Sequence, residues 1–131
     1  MEKLILVSHG GFSKGLKEST EMILGPQDYL YAVSLNPEDG EEEFISKFNE
    51  ARKEADSVVV FADLLGGTPC NAVSKLIMQG EDIELYAGMS LPMVITYING
   101  RMIGEKANII DKSKEYVVHV NEILASFDED E

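Results

Sequence analysis

The sequence has few of the residues that mark disulfide-bonded, zinc-binding or membrane-spanning proteins. Its 131 residues include one cysteine, two histidines and no tryptophan. One cysteine cannot form an intrachain disulfide, and this set cannot supply the usual ligands of a structural zinc site. No apolar run approaches the roughly 20 residues of a membrane-spanning helix, and no secretory signal opens the chain. We therefore expect a cytoplasmic protein without a metal site.

Basic residues are also scarce. Lysine and arginine number 11 against 24 aspartates and glutamates, which gives a formal net charge of −13. Repulsion makes nucleic acid and anionic membrane surfaces poor partners for such a chain. Its length is that of one domain with a single hydrophobic core, so we expect one domain over residues 1–131.

The most informative stretch runs from Val58 to Asn71. Its first five residues are apolar, which predicts a strand buried on both faces, and Asp63 follows where the strand should end. Two glycines, Gly66 and Gly67, precede Thr68, a predicted helix N-cap with proline at the first helical position. At the carboxyl end of a parallel strand, this arrangement favours phosphate. The alternative is a tight turn followed by an ordinary helix cap.

A second loop of the same design lies near the start of the chain. An apolar run leads through Ser8 to His9, and Gly10 and Gly11 follow. Histidine can accept and release a group near neutral pH, and a carboxylate usually orients its ring. If the first and third strands are neighbours, their loops flank the point where the strand order reverses. In that layout His9 and Asp63 lie side by side.

Strand and helix signals alternate along the chain. Strands are predicted over 3–8, 29–35, 58–62 and 83–87, and helices over 13–24, 41–55 and 68–79. The β-branched stretch 93–98 favours a strand by propensity, but the alternation and the preceding proline favour a helix, which we predict. A short irregular helix over 103–114 and a strand over 116–120 follow. The alternation predicts an α/β fold, a doubly wound parallel sheet with helices on both faces.

Three blocks of sequence resemble the enzyme IIA component of the mannose-type sugar phosphotransferase system. They are residues 8–10 (Ser-His-Gly), 63–71 (Asp-Leu-Leu-Gly-Gly-Thr-Pro-Cys-Asn) and 87–93 (Ala-Gly-Met-Ser-Leu-Pro-Met). The similarity covers essentially the whole chain in order and spacing. It implies a single mannose-type IIA domain over 1–131. It also implies a fifth, antiparallel strand at Tyr116–Val120 that is exchanged within a homodimer.

The resemblance further implies a phosphoryl relay for sugar uptake. A histidine-containing phosphocarrier protein donates the group to His9, which passes it to a IIB component. The membrane-embedded IIC and IID components then carry the sugar. His9 and Asp63 are the implied catalytic pair, with the carboxylate holding Nδ1–H and the outward Nε2 carrying the phosphate. The implied phosphate-binding residues are Gly10, Gly11, Gly66, Gly67 and Thr68. No metal or cofactor is expected, because the bond to imidazole already activates the phosphate.

Two positions depart from the family pattern. Leu65 and Cys70 stand where bulkier rings are common, which leaves the shape of the partner-facing surface open. The sequence also leaves open any regulatory role and the sugar, with mannose, fructose, sorbose, amino sugars and glycated amino acids as candidates. Because the chain ends soon after the fifth predicted strand, no fused IIB domain is expected.

Three other classes of protein compete with this interpretation. A receiver domain phosphorylated on Asp63 needs clustered carboxylates for Mg²⁺, and the first strand ends in Ser-His instead. A hydrolase with Ser8, Ser13 or Cys70 as nucleophile lacks the Gly-x-Ser-x-Gly elbow. A non-catalytic anion-binding module accounts for the glycine loops but not for the histidine. The second histidine, His119, is interpreted as an ordinary strand residue.

Overall fold

The computed structural model describes residues 1–129 and contains a four-stranded parallel sheet. Its strands are β1 (Glu2–His9), β2 (Leu30–Leu35), β3 (Ser57–Ala62) and β4 (Ile83–Ala87), in the order β2-β1-β3-β4. All four predicted strands are confirmed to within two residues at each end. Since β1 lies beside β3, the strand order reverses between them, as the predicted layout required.

Strand β1 is the centre of the sheet. Its residues from Lys3 to Ser8 are buried, and it pairs with β2 on one side and β3 on the other. In the register, Val7 lies opposite Val33 of β2 and Ala62 of β3. A strand covered on both faces has no solvent-facing positions, which is why residues 4–7 are apolar without alternation.

Three helices cover the sheet: α1 (Phe12–Leu24), α2 (Glu41–Arg52) and α3 (Thr68–Met78). Helices α2 and α3 contact each other. Their buried side chains join alternate strand residues in one cluster: Ile5, Val7, Val33, Phe44, Phe48, Val58, Val60, Ala62, Cys70, Ala72, Val73 and Ile83. The intervening strand residues point to the opposite face, which α1 covers through its contacts with β1 and β2. Helices on both faces are therefore confirmed.

Three further helices follow the sheet: α4 (Leu91–Met102), α5 (Ile109–Lys114) and α6 (Val120–Glu129). The helix predicted over 93–98 is confirmed, and the irregular helix predicted over 103–114 shortens to α5. The chain divides into two compact units, Met1–Leu91 and Pro92–Glu131. The single domain predicted over 1–131 stays a prediction, and its last two positions lie outside the described residues.

The fifth, antiparallel strand predicted at Tyr116–Val120 is wrong for this structure. Tyr116 lies in a turn, the next three residues are irregular, and Val120 opens α6. A strand forms only where a neighbour supplies ladder hydrogen bonds, and nothing within residues 1–129 pairs with this segment. Its side chains are exposed instead, Val117 by 88%. The resemblance implied a strand here that pairs only within a homodimer, whereas in this chain the segment turns and enters α6.

None of the helices within residues 1–129 combines the length and the apolar character that crossing a membrane requires.

Candidate functional site

The carboxyl ends of β1 and β3 bring His9 and Asp63 together. The backbone of Asp63 donates to the carbonyl of Val7 at 3.1 Å, which extends the strand pairing by one residue beyond Ala62. The Asp63 side chain then reaches His9, with Oδ2 2.7 Å from the ring atom Nδ1. The predicted adjacency of these two residues is confirmed, although 54 positions separate them in sequence.

The carboxylate of Asp63 accepts three N–H groups. Oδ2 accepts the backbone N–H of His9 at 2.9 Å in addition to the ring contact, and Oδ1 accepts the backbone N–H of Leu64 at 2.9 Å. Burial alone raises the pKa of this carboxyl group, but the backbone and ring contacts of His9 and the amide of Leu64 together outweigh it, so the pKa is lowered. Asp63 is therefore a fixed anion that can only accept hydrogen bonds.

The contact with Asp63 distinguishes the two ring nitrogens of His9. Because the carboxylate is an acceptor, a neutral imidazole must carry its proton on Nδ1 and keep the lone pair on Nε2. The side chain of His9 is 49% exposed, whereas that of Asp63 is 10% exposed. The arrangement therefore gives a nucleophilic nitrogen that another molecule can approach, with its orienting partner sheltered beneath it.

The loop after β1 is held by serine hydroxyl groups. The buried Oγ of Ser8 accepts the amide of Ser13 at 2.8 Å and donates to the carbonyl of Gly10 at 3.2 Å. Gly10 has a φ of +54°, a region that favours glycine, and its amide donates to the carbonyl of Leu35 at 2.8 Å. The Gly10 amide is therefore already hydrogen-bonded within the protein. Gly11, the next residue, is the exposed N-cap of α1.

The loop after β3 is tied to the start of α3. Gly66 has a φ of +92°, and its carbonyl accepts the side-chain amide of Asn71 at 3.1 Å. The N-cap of α3 is Gly67, in an extended conformation, and its carbonyl accepts the backbone N–H of Asn71 at 2.9 Å. The prediction that Thr68 is the N-cap is therefore wrong by one residue. The extended glycine takes that position, and Thr68 becomes the first helical residue, before Pro69.

This end of α3 adds a favourable field for an anion. Gly67 has no side chain to cap the helix, and the first N–H groups of a helix lack partners within it. Thr68 is exposed at this point. The partial positive charge of the helix terminus therefore lies in the same loop as Gly67, next to the ring of His9.

Sequence reasoning missed two residues that hold these loops, Ser8 as a structural hydroxyl and Asn71. A serine five residues before a helical serine gave no recognised capping pattern. The role of Asn71 could have been predicted, because asparagine side chains often hydrogen-bond the backbone of a neighbouring turn.

Residues 1–129 contain no group of three or more His, Cys, Asp or Glu side chains arranged to hold a metal ion.

The fold and the site define an α/β protein with a carboxylate-oriented histidine at the point where the strand order reverses. The family model described as "PTS system fructose IIA component" matches residues 3–114. The fructose-specific EIIA component of the phosphotransferase system (PTS) from Bacillus subtilis is 33% identical over 104 residues, covering 77% of this chain and 71% of that protein. The sorbose-specific EIIA component from Lacticaseibacillus casei is 32% identical, covering 71% and 69%.

A solved structure agrees with these relatives. The phosphotransferase system component EIIA from Streptococcus agalactiae superimposes with a TM-score of 0.84 at 27% identity, covering 93% of this chain and 99% of that chain. The chain therefore belongs to the mannose-type family of phosphotransferase system IIA components. A role in phosphoryl transfer within that system follows from this membership.

Proposed function

We propose that this chain is the IIA step of a cytoplasmic phosphoryl relay for sugar uptake. A histidine-containing phosphocarrier protein phosphorylates His9 on Nε2, and His9 passes the group to a IIB component that serves IIC and IID membrane components. The observation that carries the proposal is the 2.7 Å contact between Nδ1 of His9 and Oδ2 of Asp63. That contact leaves Nε2 as the nitrogen with a free lone pair.

The proposed step is balanced without a co-reactant. The lone pair of His9 Nε2 forms a bond to the phosphorus of the donor's phosphohistidine. The donor's N–P bond breaks, and its electron pair returns to the donor imidazole. Positive charge develops on the His9 ring as the new bond forms, and the anionic Asp63 lies where it stabilises that charge. The same geometry operates in reverse when a IIB nucleophile takes the group.

The loop after β3 supports the phosphate-binding part of the proposal. Thr68 is exposed at the start of α3, so its hydroxyl group and the helix terminus can receive phosphate oxygens. Gly67 brings the backbone close to the ring of His9, and Gly66 precedes it in the same loop. Of the two glycines after β1, Gly11 has an open surface around it, whereas the amide of Gly10 is committed to Leu35. We therefore assign Gly10 a role in shaping its loop.

A partner protein must cover His9 during transfer, and exposed apolar side chains are available for that contact. Leu64 is 49% exposed, Leu65 is 82% exposed, and Phe12 is 50% exposed at the start of α1. Leu64 lies beside the ring, since both approach the same point above Gly67. Apolar side chains around a reactive nitrogen exclude water, which favours transfer between proteins over hydrolysis.

We also propose that two copies of the chain associate through the C-terminal segment. From Tyr116 to Phe127 the exposed large apolar residues are Tyr116, Val117, Val118, Val120, Ile123, Leu124 and Phe127. Such a continuous exposed set is characteristic of an association surface.

The relay assignment is tested by labelling the chain. Incubation with phosphoenolpyruvate, enzyme I and the phosphocarrier should add one phosphate per chain, without a metal bound to this chain. An N–P bond is labile in acid and stable in base, the reverse of a serine ester. The label should therefore be lost on mild acid treatment and should pass to a cognate IIB component without added sugar.

Two variants locate the label. His9→Ala should not be labelled. His119→Ala is the matched control, because His119 is the only other histidine and is exposed in the C-terminal segment, and it should be labelled like the wild type. Labelling of His9→Ala at the wild-type rate would refute the relay and favour a non-catalytic anion-binding module.

A further inference from the structure

The ring of His9 occupies the space that a side chain at position 67 would need. A Cβ atom placed on Gly67 would lie 2.5 Å from Cε1 and 3.1 Å from Nε2 of His9, and 3.6 Å from Cδ2 of Leu64. The first distance is far below van der Waals contact, so an alanine at this position and the observed ring position exclude each other.

The backbone at Gly67 does not itself require glycine. Its φ of −87° and ψ of 166° are extended values that any L-residue adopts. This distinguishes it from Gly66, whose φ of +92° does favour glycine. Serine, aspartate and asparagine are preferred over glycine at an N-cap because their side chains bond the first free amides. Glycine therefore gives up a stabilising cap at this position, and the imidazole, whose Cε1 would lie 2.5 Å from a Cβ there, explains the choice.

We propose that Gly67 is a positioning residue, whose missing side chain keeps the His9 ring against Asp63 and leaves Nε2 open. The inference rests on the proposed function. It assigns Gly67 a role that differs from contributing an amide to the phosphate. A Cβ at this position would push Cε1 away, and the half-exposed ring would rotate towards solvent. The contact of Nδ1 with Oδ2 at 2.7 Å would then break, and the proton would no longer be held on Nδ1.

Two substitutions separate ring position from fold stability. Gly67→Ala and Gly67→Ser add the same Cβ, but serine also supplies an N-cap hydroxyl. We expect both to slow phosphorylation of the chain by about 100-fold, as expected for a displacement of about 1 Å in a reacting group. The serine variant should match or exceed the thermal stability of the alanine variant. Gly15→Ala is the control, because Gly15 lies on the exposed side of α1 with open space around it, and its transfer rate should equal that of the wild type.

The ring itself provides a readout that a purely structural role would not change. Nitrogen-15 chemical shifts of the imidazole distinguish a proton on Nδ1 from one on Nε2. We expect the Nδ1–H form in the wild type and in Gly15→Ala, and a mixture of the two forms in Gly67→Ala. Phosphorus NMR of the residual product should likewise show loss of exclusive Nε2 phosphorylation in Gly67→Ala.

A double-mutant cycle on stability keeps the test decisive if the single variants fold poorly. In a His9→Ala background the ring is gone, so adding Gly67→Ala should leave the melting temperature unchanged or raise it. An equal loss of stability with and without the ring would overturn the inference, since it would show that the fold requires glycine. Wild-type rate and Nε2 selectivity in Gly67→Ala would also overturn it, while leaving the relay standing. A wild-type chain that is never labelled on His9 would refute the relay instead.

Discussion

Replacing Asp63 by asparagine changes one atom in the centre of the site and gives the sharpest test of how the ring is activated. Both N–H groups of His9 that reach this side chain converge on Oδ2, at 2.9 Å from the backbone and 2.7 Å from Nδ1. Leu64 donates to Oδ1 at 2.9 Å. An asparagine has one acceptor oxygen. Its NH₂ group must therefore take the place of either Oδ1 or Oδ2, where it faces an N–H donor.

Each orientation of the asparagine has a definite consequence. With its oxygen towards Leu64, the NH₂ group faces His9 and favours the tautomer that carries its proton on Nε2, which removes the nucleophile. With its oxygen towards His9, the tautomer survives, but the charge that stabilises the developing imidazolium is lost. A hydrogen bond to a charged group contributes about 1.5–3 kcal/mol. At 1.36 kcal/mol per factor of ten, the expected decrease in the transfer rate is about 10- to 150-fold.

Rapid-quench measurement of phosphate arriving from the phosphocarrier tests this range. Asp82→Asn is the matched control, because Asp82 is exposed and lies at the amino end of β4, whereas the site lies at the carboxyl ends of the parallel strands. Both variants should retain the wild-type circular dichroism spectrum. A rate for Asp63→Asn within about twofold of the wild type would mean that no transition-state interaction was removed. Asp63 would then be a turn residue, and the orientation argument would fail.

Two further predictions concern stability and assembly. The pKa of Asp63 is lowered from 3.8 on folding, so its stabilising contribution is present above that value and is lost as the pH falls through the lower folded-state pKa. The difference in unfolding free energy between wild type and Asp63→Asn, measured by urea denaturation, should shrink as the pH falls below 3.8, and a constant difference would contradict this. Light scattering at micromolar concentration should give twice the chain mass of 14.5 kDa, and a stable monomer would refute the proposed association.

The sequence was sufficient to predict the sheet and the adjacency of the two site residues. Continuous apolar runs mark strands buried on both faces, and alternation with helices restricts such strands to a parallel, doubly wound sheet. Once β1 and β3 are neighbours, the position of His9 and Asp63 at their carboxyl ends follows from the register. The prediction from local sequence was correct here because the apolar runs and the strand–helix alternation both agree with the burial that the whole fold imposes.

The sequence was insufficient where a residue depends on something beyond its own segment. The segment 116–120 has strand-forming residues, but no strand within residues 1–129 pairs with it, and the chain turns and enters α6. Thr68 has the preferred N-cap chemistry, but the extended backbone of Gly67 takes that position. The reason for that choice lies in the ring of His9, which is distant in sequence. Pattern and propensity cannot reveal a contact of this kind.

The backbone of His9 explains how the site stays rigid while its nucleophile remains accessible. The pairing of β1 with β3 ends at the bond from the Asp63 amide to the Val7 carbonyl. Beyond this point the Asp63 side chain accepts the His9 amide, so the carboxylate continues the pairing of the two strands. The same oxygen also orients the ring. Displacing the ring from Asp63 would therefore disturb the carboxylate that holds the ends of β1 and β3 together. The proposed relay requires that the same nitrogen face a donor and then an acceptor, and a histidine anchored in the sheet would meet that requirement without a change of shape.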